Sequence, residues 1–132
     1  MPYDTYAYVV NHINIAIARK KLKIKFKHTK KALEITHLLY QIGYVSHYQL
    51  IHEHKQTWIY ISITYYKNTP FYKSLRLVST PSRRHFISLK ALRTVQNSIK
   101  SSIVLLSTSK GLLTHTEAIK LNTGGLILCI AN

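Results

Sequence analysis

Negative charge is almost missing from this chain. Asp4, Glu34, Glu53 and Glu117 are the only acidic residues among 132, against 19 Lys and Arg, so the formal net charge is +15 before any histidine is protonated. Few internal ion pairs can form. Most of the cations must face water or an external polyanion, and a field this strong attracts nucleic acid or an anionic membrane. Thiols are as scarce: one cysteine, Cys129, excludes an internal disulfide and a multi-thiolate metal site. The core must therefore hold without a covalent staple, which suits a reducing compartment. No apolar run approaches the roughly 18 residues that a bilayer crossing needs; pieces such as "IVLL" and "LILCI" are the longest, so no membrane span is expected. The start "MPYDTYAYVV" has neither a basic segment leading into an apolar one nor an Arg- and Ser-rich character, and nothing is expected to be removed from it. Internal repeats and low-complexity segments are absent too.

What is present is a foldable pattern. A hydrophobic content of 46% is too high for a disordered basic tail, and the length suits one ordinary domain or two small packed ones. From Asp4, a plausible N-cap or first-turn acid, Tyr6, Val9, Val10, Ile13 and Ile17 recur at helical spacing. "KLKIKFK" alternates Lys21, Lys23, Lys25 and Lys27 with Leu22, Ile24 and Phe26, predicting a strand with one apolar and one cationic face. That cationic face is either a solvated exterior or a surface for an anionic partner, because four like charges side by side repel. In "HTKKALEITHLLYQIGYV", Thr29 is placed to cap a helix that Gly43 would end. "QTWIYISITYY" reads as a half-buried strand with a partner near "HYQLIHE". The Asn, Thr and Pro of "KNTPFYK" suggest a boundary, with an α-β-α-β-β domain over 1–67 and a mainly β domain with short helices over 68–132. The second domain offers "LRLVS", the turn "STPSRR", strand-like "HFISL", a possible helix in "KALRTVQNS" and a buried strand in "LILCI". The expected class is α/β in the α+β sense.

Between "IVLL" and a helix lies "STSKG", residues 107–111. Thr114 and Glu117 form a capping-box pattern, predicting a helix from about His115 to Leu121 that Asn122, Thr123, Gly124 and Gly125 end. The "STSKG" element is thereby expected as a loop between a strand ending near Leu106 and a turn into that helix. Three hydroxyls and one ammonium suit RNA better than a metal or an apolar ligand, although Ser-rich loops are commonly plain turns. A hydrolase reading pairs Ser107 or Ser109 with His115, but carboxylates are scarce and no Gly-x-Ser-x-Gly is present. His47, His52 and His54 lie close in sequence without a recognised zinc spacing, so neither a metal nor a cofactor is expected. Most aromatics alternate on strands and read as packing; Phe86, beside Arg83, Arg84 and His85, stands apart as a base-stacking candidate.

The run "VLLSTSKGLLT", followed by "GG" and a terminal apolar strand, resembles the bacterial-type family of small-subunit ribosomal protein eight. "DTYAYVVNHI", "TKKALEITHLLYQIGYV" and "RLVSTPSRRHF" extend that resemblance over nearly the whole chain. It implies a two-domain α/β protein that binds the central domain of small-subunit ribosomal RNA directly, beside neighbouring small-subunit proteins, and supports assembly without catalysis or a small-molecule substrate. Carried over by position, it implies RNA contacts at Ser107, Thr108, Ser109, Lys110 and Gly111, with Gly124 and Gly125 in the adjoining turn. Ser79, Pro81, Arg84 and Phe86 match a second element, and Thr29 and Lys30 a third at the start of the second helix. The chain departs from the family pattern at Ser82, Phe86 and Leu126, where Gly, Tyr and an acidic residue are usual. Enrichment in Ile, Lys, Tyr and Asn with only 4 Gly suggests an adenine- and thymine-rich organelle genome, mitochondrial with plastid as the alternative. A free basic regulator of messenger RNA or DNA is the remaining reading.

Overall fold

A computed structural model describes residues 5–63, 65–66, 69–70, 75–79, 83–98 and 102–131. The chain divides into two compact units, Met1–Ser74 and Leu75–Asn132, each combining helices with antiparallel strands in an α+β arrangement. Asp4, Pro81, Ser82 and most of the boundary stretch around Asn68 lie outside the described residues.

The first unit runs α1 (Thr5–Ala18), β1 (Lys23–Lys27), α2 (Lys30–Gln41), β2 (Val45–Glu53), β3 (Gln56–Ile63), β4 (Tyr65–Tyr66) and β5 (Thr69–Pro70). Its main sheet has the order β1-β3-β2, with both neighbours antiparallel to β3, while β4 and β5 pair separately. Helix α1 packs on α2 and β1, and α2 on β2. Val9, Val10 and Ile13 of α1, Ile35 and Leu39 of α2, and Phe26, Ile59 and Ile61 of the sheet are buried. The Thr29 hydroxyl accepts from the Ala32 N–H at 3.1 Å and starts α2. Gly43, at φ +88°, ends it: Gly43 N–H reaches Tyr40 O and Tyr44 N–H reaches Leu39 O, the paired bonds of a Schellman motif. The "KLKIKFK" alternation holds only from Lys23 onward. Leu22 precedes β1 and is 65% exposed, so Ile24 and Phe26 alone supply the apolar face. The β2–β3 hairpin turns at His54 and Lys55, both left-handed at φ 47° and 63°. That is the backbone a tight hairpin needs, here formed without glycine or asparagine.

The second unit contains β6 (Leu75–Leu77), β7 (Phe86–Ile87), α3 (Leu89–Gln96), β8 (Ile103–Thr108), β9 (Gly111–Thr114), α4 (His115–Lys120) and β10 (Gly125–Ala131). The sheet order is β6-β10-β8-β9, and β7 also pairs with β10. "LILCI" is thus the central strand. A bulge between Ile127 and Cys129 shifts its register, which lets consecutive Leu128 and Cys129 both be buried. Leu92 of α3 and Ala118 of α4 pack on Val104, Leu106 and Leu113.

Two buried groups make this core testable. Burial pushes the Cys129 thiol up to about 12, so almost no thiolate exists at neutral pH. Ellman's reagent should leave the native protein unlabelled at pH 8 and label one thiol per chain in guanidinium; native labelling at a comparable rate would contradict the burial. His115, the first residue of α4, accepts the Val104 N–H on Nδ1 at 3.2 Å. Burial lowers its pKa below the ordinary 6.5. Unfolding at acid pH therefore takes up a proton that the folded ring resists: stability from this group is complete above pH 6.5 and is lost as pH falls below it. His115→Asn, which keeps an acceptor near Nδ1, should reduce the proton uptake on unfolding as pH falls below 6.5. Identical slopes of stability against pH for the two proteins would sink this account.

Candidate nucleic-acid interface

The "STSKG" element is not the loop between strand and helix expected from sequence. Strand β8 continues through Thr108, Gly111–Thr114 forms β9, and Thr108 pairs with Gly111, so Ser109 and Lys110 alone make the tip of a tight hairpin. Gly111, at φ +107°, takes the left-handed position that closes the turn. Continued pairing with β8 wins because Leu113, opposite Leu106, joins the core.

The three hydroxyls do different things. Thr108 Oγ1 donates to Gly111 O at 2.8 Å and accepts from the Lys110 N–H at 3.1 Å, so it braces the turn from inside. Ser109 is exposed and its hydroxyl has no partner among the described residues; Ser107 is half-buried. Lys110 folds back, its Nζ donating to Leu121 O at 2.9 Å. Leu121 is the C-cap of α4, and an ammonium is favoured at that negative end of the helix. The expected capping box is half formed: Thr114 Oγ1 accepts from the Glu117 N–H at 3.4 Å, with no reciprocal bond from the Glu117 carboxylate among the described residues. At the other end of α4, Asn122 is left-handed at φ 54°, and its Oδ1 accepts from Arg93 of α3 at 2.8 Å.

Gly124 and Gly125 follow, and their value lies in having no side chain. A Cβ on Gly124 would stand 2.5 Å from Ile87 O, and one on Gly125 2.5 Å from Ser107 O and 2.9 Å from Thr108 Cγ2. The pair thus seats the start of β10 against the β7–α3 joint and the end of β8 at once. Leu126, next in the chain, pairs with both Ser107 and Phe86, and Ser107 pairs with Leu112. Phe86, Leu126, Ser107 and Leu112 form one row across the sheet, on the face opposite the core residues Leu106 and Ile127. Phe86 ends that row 76% exposed, with Arg84 and His85 exposed beside it.

The remaining sequence candidates divide. Ser79 is 2% exposed, and its Oγ accepts from the His85 N–H at 3.0 Å, so it shapes the segment before Phe86. Pro81 lies outside the described residues. Thr29 and Lys30 are exposed at the start of α2, in the other unit. The pairing of Ser109 with His115 fails: they sit at opposite ends of β9, about 10 Å of strand apart, and His115 Nδ1 is occupied by the Val104 N–H. His47 and His52 point to opposite faces of β2, with His54 in the turn, so these three do not converge. Sequence reasoning missed Leu112 and Leu126 as parts of the row and the tie from Lys110 to α4. The resumed apolar pattern in "GLLT" was the available sign of β9; the Lys110 contact leaves no local sign.

Comparison with known proteins identifies the family. The family described as Ribosomal protein S8 matches residues 4–131. The small ribosomal subunit protein uS8 of Dictyoglomus thermophilum is 30% identical over 127 residues, covering 96% of this chain and 95% of the relative. The protein of the same name from Brucella ovis is 34% identical over 122 residues, covering 92% and 91%. With nearly the full length matched and its hairpin, double glycine and central strand in place, this chain belongs to the ribosomal protein S8 family.

Proposed function

We propose that the protein is a structural constituent of a small ribosomal subunit that binds the ribosomal RNA directly, in its central domain, and supports assembly beside neighbouring proteins. Family membership supports the ribosomal role. The observation that carries the contact surface is the row seated by Gly124 and Gly125, which sets the exposed Phe86 ring on the same sheet as the β8–β9 hairpin, whose tip carries Ser109, a hydroxyl without a partner among the described residues. A hydroxyl at a braced tip can read the shape and 2′-hydroxyls of an RNA helix, while an exposed ring offers a stacking surface to an unpaired base. Arg84 and the surrounding cations neutralise phosphates, and Glu117 is the only acidic residue of this unit to oppose them. Lys110, tied to Leu121 O, acts chiefly by holding the tip. Thr29 and Lys30 are a second contact region in the first unit. The Ile-, Lys-, Tyr- and Asn-rich composition favours an organellar ribosome, mitochondrial before plastid.

Ser109→Ala should reduce discrimination between the cognate RNA helix and a scrambled one in filter binding; equal loss on both RNAs would count against a recognition role. Phe86→Ala should weaken cognate binding about tenfold, within the ~1–3 kcal/mol that stacking contributes, without lowering the melting temperature. Co-sedimentation with small subunits in high salt separates the ribosomal reading from a free regulator, which would wash off.

A further inference from the structure

The first unit carries a second surface whose chemistry the hairpin site does not use. Its two helices cover one face of the β1-β3-β2 sheet, burying Phe26, Ile59 and Ile61. The opposite face is set by register: Lys23 pairs with Ser62, Lys25 with Tyr60 and Lys27 with Trp58, while Gln49 of β2 lies beyond Tyr60. All three lysines are exposed, and both rings are half-buried. Lys25 Nζ stands 5.0 Å from the Trp58 ring centroid and 5.7 Å from that of Tyr60. Glu53, at one end, is the carboxylate on this face, and its Oε1 accepts from Tyr60 Oη at 2.9 Å. Lys23 and Lys27 have no carboxylate partner among the described residues.

We infer that this face binds an unpaired RNA segment, with bases stacking on Trp58 and Tyr60 and phosphates running along the lysine row of β1. Charge complementarity favours a polyanion: like charges two residues apart on a strand repel at about 7 Å, and a phosphate backbone relieves that repulsion. The interleaved rings select the kind of polyanion. A duplex keeps its base faces stacked inside and gains nothing from the open part of a half-buried indole and phenol, whereas a single strand presents one π-face per nucleotide. Lys25 already occupies the ring faces, so a base stacking there displaces its ammonium, which then reaches the neighbouring phosphate. The Tyr60–Glu53 hydrogen bond holds the phenol in place for that stacking. This surface lies in the other unit from the hairpin and does not require that site to be correct.

Trp58 is the only tryptophan in the chain, which makes its fluorescence a direct reporter. A short oligouridylate should quench Trp58 emission in the full-length protein, more weakly as salt rises, while an RNA duplex of equal length should not. The double variant Lys23→Gln, Lys27→Gln should lower the slope of log affinity against log salt by about 1.4, because each single-strand phosphate left without its lysine removes about 0.7. Tyr60→Leu should weaken the quench at unchanged salt slope. Equal quenching by duplex RNA or by polyglutamate, or a quench indifferent to the lysine and tyrosine substitutions, would overturn the inference. Absence of the quench together with an intact Phe86→Ala effect on the cognate helix would overturn this surface alone and leave the hairpin site standing.

Discussion

The second unit depends on a backbone approach that no side chain could tolerate. At Gly124 and Gly125 the chain passes so close to Ile87 O and Ser107 O that a single added carbon would collide with main chain on both sides. Because the obstructing atoms are backbone, no rotamer change can make room. This approach aligns β10 with β7 and β8 together, and the alignment places Phe86, Leu126 and Ser107 in one row. The exposed Phe86 ring stands where it does as a consequence of that packing constraint.

Charge imposes a second constraint. With 19 Lys and Arg on the chain and four acids to offset them, ion pairs can do little to stabilise the fold, and the helices are finished by hydroxyl caps and backbone turns instead. Thr29, Ser88 and Thr114 cap three N-termini with hydroxyls, each a contribution of about 1 kcal/mol. Gly43 and Asn122 take the left-handed position past the C-terminal ends of α2 and α4 and close both with the same pair of backbone bonds. Lys110 is the one hairpin cation drawn into this scheme. The other Lys and Arg among the described residues are exposed, where a polyanion can neutralise them.

Much of this was legible in the residues. Helical periodicity located α1 and α2, alternation located β1 and β3, and the Thr114/Glu117 spacing located α4, because each signal arises from neighbours within a few positions. The fault at "STSKG" has the same origin in reverse. Three residues after a glycine are too few to carry a periodic signal, and β9 exists because β8 lies alongside it and Leu113 reaches the core. Leu22 failed similarly: alternation continues through it, but it lies before the first residue of β1 and stays exposed.

By itself the sequence determined the α+β class, the excess of cations over acids, the ends of α2 and α4 and the family, all of which follow from composition or short-range pattern. Only tertiary structure decided that the Thr108 hydroxyl is spent inside the hairpin turn, that Lys110 answers to a helix end eleven residues away, that His115 is spent on Val104, and that three lysines share a face with Trp58 and Tyr60. Those facts depend on strand register and on contacts between segments distant in the chain, and a one-residue slip in register would reverse every face.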